Sequence, residues 1–109
     1  MPKVYKVLGQ SNPAATTNTN VYTVPSSTSA VVSTITVANI SAVAATYRIA
    51  VRPGGATLAN QHYMAYDVSV PASDTITLTL GITLAATDII TVYASSANIC
   101  FSIFGSEIS

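Results

Sequence analysis

Two alternating stretches within residues 30–53, AVVSTITVANISAVAATYRIAVRP, restrict the fold more than any other part of the chain. In the first, Val31, Ser33, Ile35 and Val37 fall on one side, and Val32, Thr34, Thr36 and Ala38 on the other. In the second, Tyr47, Ile49 and Val51 alternate with Thr46, Arg48, Ala50 and Arg52. A period of two rich in β-branched residues marks a half-buried strand. Arg48 and Arg52 share one side, so Tyr47, Ile49 and Val51 are expected to face the core. The intervening residues 39–45 contain no glycine and are too many for a two-residue hairpin turn. They fit either a connection between neighbours in one sheet or an arch between two sheets. The remaining strands are expected to pack on this pair.

Taken in order, residues 4–8 read as a short first strand at a sheet edge, where Lys3 and Lys6 discourage stray pairing. Residues 9–20, GQSNPAATTNTN, read as a loop. Residues 21–24 form a strand that stops at Pro25, which cannot donate to a ladder. After Arg52, Gly54 and Gly55 permit positive φ and a tight turn. Residues 61–70 read as a strand with His62, Met64, Tyr66, Val68 and Val70 toward the core and Gln61, Tyr63, Ala65, Asp67 and Ser69 outward. Residues 75–80, TITLTL, alternate without a fault, with Ile76, Leu78 and Leu80 inward and Thr75, Thr77 and Thr79 outward. Residues 81–88 read as a connection with a strand piece at 82–84. Residues 89–94 form a strand with Ile90, Val92 and Ala94 on one face. Residues 99–104 close the sheet with Ile99, Phe101 and Ile103 on one face and Cys100, Ser102 and Phe104 on the other, followed by a short tail.

About eight short strands at regular spacing, divided by Pro, Gly and Asn turns, indicate an all-β fold. The expectation is a single-domain β-sandwich over residues 1–109, with mainly antiparallel strands in a jelly-roll or immunoglobulin-like arrangement. A chain of 109 residues can bury a core without disulfides or a metal. The single cysteine, Cys100, has no internal partner, which fits synthesis in a reducing cytoplasm. No apolar run approaches the ~20 residues of a membrane helix. The opening MPKVYKVLGQSNP lacks the features of a signal peptide.

Charge narrows the function classes. Charged residues make up 7% of the chain, against about 25% in an average soluble domain. Interface cores are depleted in charge, so much of the surface is expected to be covered by neighbouring chains. The four cations, Lys3, Lys6, Arg48 and Arg52, are too few and too dispersed for a nucleic-acid or anionic-membrane partner.

No catalytic, cofactor-binding or metal-ligating residue stands out. His62 is the only histidine, and Asp67, five residues on, falls on the opposite face of a regular strand. Cys100 with His62 is a weaker nucleophile pair, since a lone Cys behaves as a small hydrophobe. Asp67, Asp74, Asp88 and Glu107 are the only carboxylic residues, and they are spread along the chain. Asp74 and Asp88 suit local turn work, and neither calcium nor zinc finds enough ligands. Pro53-Gly54-Gly55 lacks the lysine and helix of a phosphate loop. Of six tyrosines, Tyr63 is expected to be the best exposed, and one ring is not a sugar-binding platform; a core or interface role is expected for the tyrosines. The chain is therefore read as non-enzymatic.

The segments VLGQSNP, NVYTVPSSTSAVVSTITVAN, ATYRIAVRPGG and TLAATDIITVYASSANICFSIFGSE resemble small virion structural proteins of tailed bacteriophages, including cyanophages. The resemblance spans nearly the whole chain and rests on segment order and Ser/Thr/Ala style. It implies a capsid cement (decoration) protein on the virion surface, with the major capsid protein as partner and a homo-oligomer, trimer or dimer, as its state. It transfers no catalytic residues. The expected contact elements are residues 3–12, the loop at 53–60 and the tail from Phe104. Rival readings are a neck, tail or baseplate component of the virion and a carbohydrate-binding adhesin module.

Overall fold

Strands β3 (Ser29–Asn39) and β4 (Ala45–Arg52) lie in different sheets, so the chain between them is an arch. The computed structural model describes residues 3–109, except for the side chain of Leu80. Asn39 holds the arch from inside. Its buried side-chain amide donates to the carbonyls of Val43 (2.8 Å) and Val70 (3.2 Å), and its Oδ1 accepts from the Ser41 N–H (3.0 Å). A buried amide must satisfy its donors and acceptor, and this network fixes where the strand ends and the crossover begins.

The other strands are β1 (Lys3–Ser11), β2 (Thr19–Thr23), β5 (Tyr63–Val70), β6 (Thr75–Leu84), β7 (Ile89–Ala94) and β8 (Ile99–Ile108). One sheet runs β1-β8-β3-β6 and the other β2-β7-β4-β5, with antiparallel pairing throughout. Strands β1 and β2, like β3 and β4, are consecutive yet occupy opposite sheets. This is the order of an eight-stranded jelly roll, not of an immunoglobulin sandwich. The all-β sandwich expected from the sequence is the fold observed.

The interior is a continuous apolar layer. Val32, Ile35, Val37, Ile99, Phe101 and Ile103 from one sheet meet Tyr47, Ile49, Val70, Ile90, Val92 and Ala94 from the other. Tyr47 and Phe101 cross the interior edge to face, with ring centroids 6.1 Å apart. The expected inward face of β4 is therefore the observed one, and the shared faces of Ile90, Val92 and Ala94 in β7 and of Ile99, Phe101 and Ile103 in β8 are the ones that turn inward. Ile76 and Leu78 of β6 also pack against the core, while the inward reading of Leu80 lies outside the described residues.

Several boundaries differ from the sequence reading. β1 continues through Ser11 and β2 begins at Thr19, so both ends of the expected loop at 9–20 belong to strands. Asn60–His62 is a short 3-10 turn, and β5 starts only at Tyr63. β6 runs unbroken through Leu84 rather than stopping before Gly81. β8 absorbs the tail as far as Ile108. Ladder hydrogen bonds with neighbouring strands supply what local propensity does not at these ends.

Two faces also differ, because bulges shift the alternation. In β3 the register shifts between Val32 and Thr34. Ala30 and Val32 face inward before Ser33, and Ile35 and Val37 after it; Val31 and Ser33 do not share their side. In β5 the register shifts twice, with Tyr47 opposite Val68, Ile49 opposite Ala65 and Ala50 opposite Tyr63. Tyr66 and Asp67 thus stand together against Arg48, and Asp67 adopts φ 53°, a left-handed conformation that Asp tolerates better than most residues. The expected core row is accordingly split: Val70 is buried, whereas Met64 and Tyr66 are exposed.

Gly105 is what lets β8 pass the β3 bulge. A Cβ there would collide with the backbone carbonyl of Val31, whereas a Cβ at Gly81 meets nothing within 4 Å. Gly105→Ala is expected to lower the unfolding free energy by about 2 kcal/mol or more through this overpacking. Gly81→Ala is expected to stay within ~0.5 kcal/mol of the parent. Urea denaturation of the two variants beside the parent chain checks both.

Candidate functional site

β1 and the end of β8 are paired from Lys3↔Ile108 to Val7↔Phe104, which joins residues 3–7 to residues a hundred positions later. On the outer side of this pair lies an open groove of about 720 Å³. Its apolar lining comes from Tyr5, Val7, Val31, Phe104 and Ile108. Gly105 and Ser106 lie among the lining residues, where there is little side chain to fill the space. Tyr5 is 77% exposed and Val7 48%. The Lys3 ammonium sits 5.5 Å from the centre of the Tyr5 ring. Lys3 and Lys6 line it too, Lys6 being paired with Glu107, so the groove combines exposed apolar side chains with two cations. Apolar side chains collected in a concave surface mark a candidate contact site.

Two of the three expected contact elements, residues 3–12 and the tail from Phe104, build this groove. The loop at 53–60 does not take part. It follows β4 in the other sheet and is tied down there: the Gly54 N–H donates to Asp88 Oδ1 (2.8 Å), and Arg52 donates to the carbonyls of Gly55 (3.2 Å) and Ala56 (2.7 Å). A further apolar point is the tip of the β3–β4 arch, where Ile40 and Val43 are exposed.

One end of the groove strand is fastened through charge. Glu107 Oε1 lies 3.0 Å from Lys6 Nζ, and Glu107 Oε2 accepts from the Tyr22 hydroxyl of β2. Tyr22 belongs to the opposite sheet, so this carboxylate links the two layers. The Tyr22 hydrogen bond, and then Lys6, hold the Glu107 carboxyl below its ordinary range. Burial, reinforced by the carboxylate, pushes the Tyr22 hydroxyl far up, so it remains a donor at all ordinary pH values.

The outer face of the second sheet carries a different cluster. Because the β5 bulge sets Tyr66 and Asp67 together against Arg48, that guanidinium is clasped on several sides. It lies 4.1 Å from the Tyr66 ring centre and 4.2 Å from that of Tyr93, and its Nε donates to Asp67 Oδ1 at 2.7 Å. Asp67 holds the Arg48 guanidinium above even its usual range. Tyr63 meets Tyr66 edge to face at 4.9 Å, and with Asn60 they border a recess of about 330 Å³. Tyr63 is only partly exposed; Tyr5 and Tyr66 are the open aromatic residues, which corrects the sequence expectation. The Tyr66–Arg48–Tyr93 stack is not legible in the sequence, because strict alternation with Val68 and Val70 puts Tyr66 on the core face. The polar Asp67 in mid-strand was the available signal of the bulge.

The residues considered for chemistry are dispersed. His62 Nδ1 accepts the Ala59 N–H at 3.0 Å, a local turn bond. Cys100 in β8 pairs with Ala38 of β3 in one sheet, whereas His62 precedes β5 of the other sheet. Asp74 and Asp88 occupy matching positions in two turns, each donating its backbone N–H to the carbonyl three residues back, after Ser73 and Thr87 at positive φ. Among the described residues, no three of His, Cys, Asp and Glu come together.

Comparison with known proteins found no matching family model, no matching curated protein and no matching solved structure.

The Glu107 link makes a pH prediction. Its ionised form is favoured by the native structure, so its stabilisation is complete above the ordinary value of 4.5 and is lost as pH falls through the lower native value. Thermal unfolding between pH 6 and pH 3 (about 3 units, spanning the carboxylate range) is expected to show a falling midpoint. Glu107→Gln is expected to be less stable at pH 6 and to show a flatter decline.

Proposed function

We propose that this chain is a non-enzymatic virion structural protein, a capsid cement (decoration) protein bound to the outside of the major capsid shell. The resemblance of its segments to small structural proteins of tailed bacteriophages supplies the virion context. The observation that carries the contact reading is the exposed groove on the outer side of β1 and β8, where Tyr5, Val7, Phe104 and Ile108 come from the two segments expected to touch a partner and Val31 of β3 and Lys3 and Lys6 complete the lining. A chain with only 7% charged residues supports extended contact with neighbours. Jelly rolls serve capsids, lectins and cupins alike, so the fold permits this role without selecting it.

In this role the groove takes an apolar segment of the major capsid protein, with Tyr5 as the aromatic anchor and Val7, Phe104 and Ile108 around it. Aromatic anchors in such sites carry a large share of binding energy. Repetition over the shell then favours the assembled state by mass action, because each bound copy stabilises the lattice it bridges.

One observation favours a second reading. The recess of Asn60, Tyr63 and Tyr66 offers aromatic rings beside an amide, the elements of a carbohydrate site in an adhesin module. Arg48 already occupies one side of Tyr66, which leaves a small platform. That reading predicts glycan binding lost in Tyr66→Ala.

The cement reading is tested by co-sedimentation of purified chain with phage capsid shells that lack it. Tyr5→Asp and Val7→Asp alter exposed positions and are expected to leave the fold intact. Each is expected to weaken shell binding by about tenfold or more, the effect of losing 1.4 kcal/mol at a contact centre. Tyr66→Ala is expected to bind shells like the parent. Groove variants that decorate shells as well as the parent would remove the groove from the contact.

A further inference from the structure

Four strands form the sheet edges, and three of them resist pairing with another chain. β1 carries Lys3 and Lys6. β2 has only five residues, with a register shift between Asn20 and Tyr22. β5 is broken by two register shifts and carries Asp67 in a left-handed conformation. Lysines, short length and bulges are the devices by which sheets protect their edges.

β6 has no such protection over its first half. It is an edge strand of ten residues, TITLTLGITL, without charge or proline. Its register with β3 is regular from Thr75 to Thr79 and shifts only beyond that point. Ile76 and Leu78 pack on the core yet remain partly exposed along the open flank. Val68, opposite the buried Tyr47 in the neighbouring edge strand β5, is likewise 37% exposed.

The same five residues are self-complementary. Thr75-Ile76-Thr77-Leu78-Thr79 reads nearly the same in both directions. An antiparallel copy related by a two-fold axis at Thr77 sets Thr77 against Thr77, Ile76 against Leu78 and Thr75 against Thr79. Every Ile and Leu then stays on the interior side and every Thr on the outer side. A register displaced by one residue would set Thr against Ile or Leu and turn one copy over. An isologous contact needs one patch complementary to itself, and this edge is such a patch.

We propose that the chain forms a homodimer by antiparallel pairing of two β6 edges about Thr77, extending β1-β8-β3-β6 into a continuous eight-stranded sheet. The partner is a second copy of this chain. Backbone hydrogen bonds supply the association, and the covered flank shields Ile76, Leu78 and Val68 from water. The dimer stands on the edge strand alone and holds whether or not the chain decorates a capsid.

Directly opposed residues of an antiparallel pair have Cβ atoms about 4.5–5.5 Å apart, close to the span of a disulfide. Cysteine cross-linking in a Cys100→Ser background therefore reads the register. Under mild oxidation, Thr77→Cys is expected to give a covalent dimer on a non-reducing gel. Thr75→Cys alone is expected to remain monomeric on the gel but to cross-link when mixed with Thr79→Cys. The parent chain is expected to show twice its 11.2 kDa mass by light scattering. Thr77→Lys, at an exposed position, is expected to show the monomer mass with an unchanged circular dichroism spectrum. A parent chain that is monomeric at micromolar concentrations, a Thr77→Lys variant that stays dimeric, or equal cross-linking of Thr75→Cys and Thr77→Cys would overturn the proposal.

Discussion

The fold depends on burying one apolar side of every strand in a single layer between two sheets. With its one cysteine free and no metal cluster among the described residues, that layer must supply the cohesion. Tyr47 and Phe101 sit at its centre, surrounded by isoleucine and valine that are fully buried. β-branched side chains are stiff and fit a pleated sheet well, so they lose little freedom on packing. The polar groups drawn into the interior are satisfied: among the described residues, no buried side-chain nitrogen or oxygen lacks a hydrogen-bond partner. Asn39 is the most instructive of these, because its buried amide also shapes the arch between the sheets.

The bulges translate that constraint into surface features. At Ser33 the shift keeps Val32 and Ile35 both inward and brings the Val31 carbonyl so close to β8 that only Gly105, without a side chain, fits there. At Tyr66 and Asp67 it turns an aromatic residue and a carboxylate outward together, where they clasp Arg48. The few charges are largely consumed inside the molecule: Lys6 by Glu107, Arg48 by Asp67, Arg52 by carbonyls of its own turn. What remains for partners is a surface of Thr, Ser and Ala with an apolar groove at one margin and an unprotected strand at the opposite one.

Much of this was legible in the sequence, and the failures have common causes. Ile90-Val92-Ala94 and Ile99-Phe101-Ile103 alternate without interruption, and their inward faces follow directly. Val31-Ser33-Ile35 and Met64-Tyr66-Val68 alternate equally well on paper, but an extra residue in β3 and two register shifts in β5 break the phase within each strand. Neither bulge carries a glycine or proline to mark it. Gly105 lies just past the expected strand end at Phe104, yet close backbone approach demands it in mid-strand. The groove was half legible. Both chain ends were expected contact elements, but their union depends on pairing residues about a hundred positions apart, which no local pattern encodes. The tyrosine and arginine stack was hidden by the same β5 bulge.

The central functional claim is that the chain covers a capsid, and the number of copies in purified particles tests it most directly. Quantitative mass spectrometry, normalised to the major capsid protein, gives that number. A capsid-covering role predicts a ratio within a few-fold of the capsid protein itself. A handful to a few tens of copies per particle would place the chain in the neck, tail or baseplate instead, and its absence from particles would contradict the virion role.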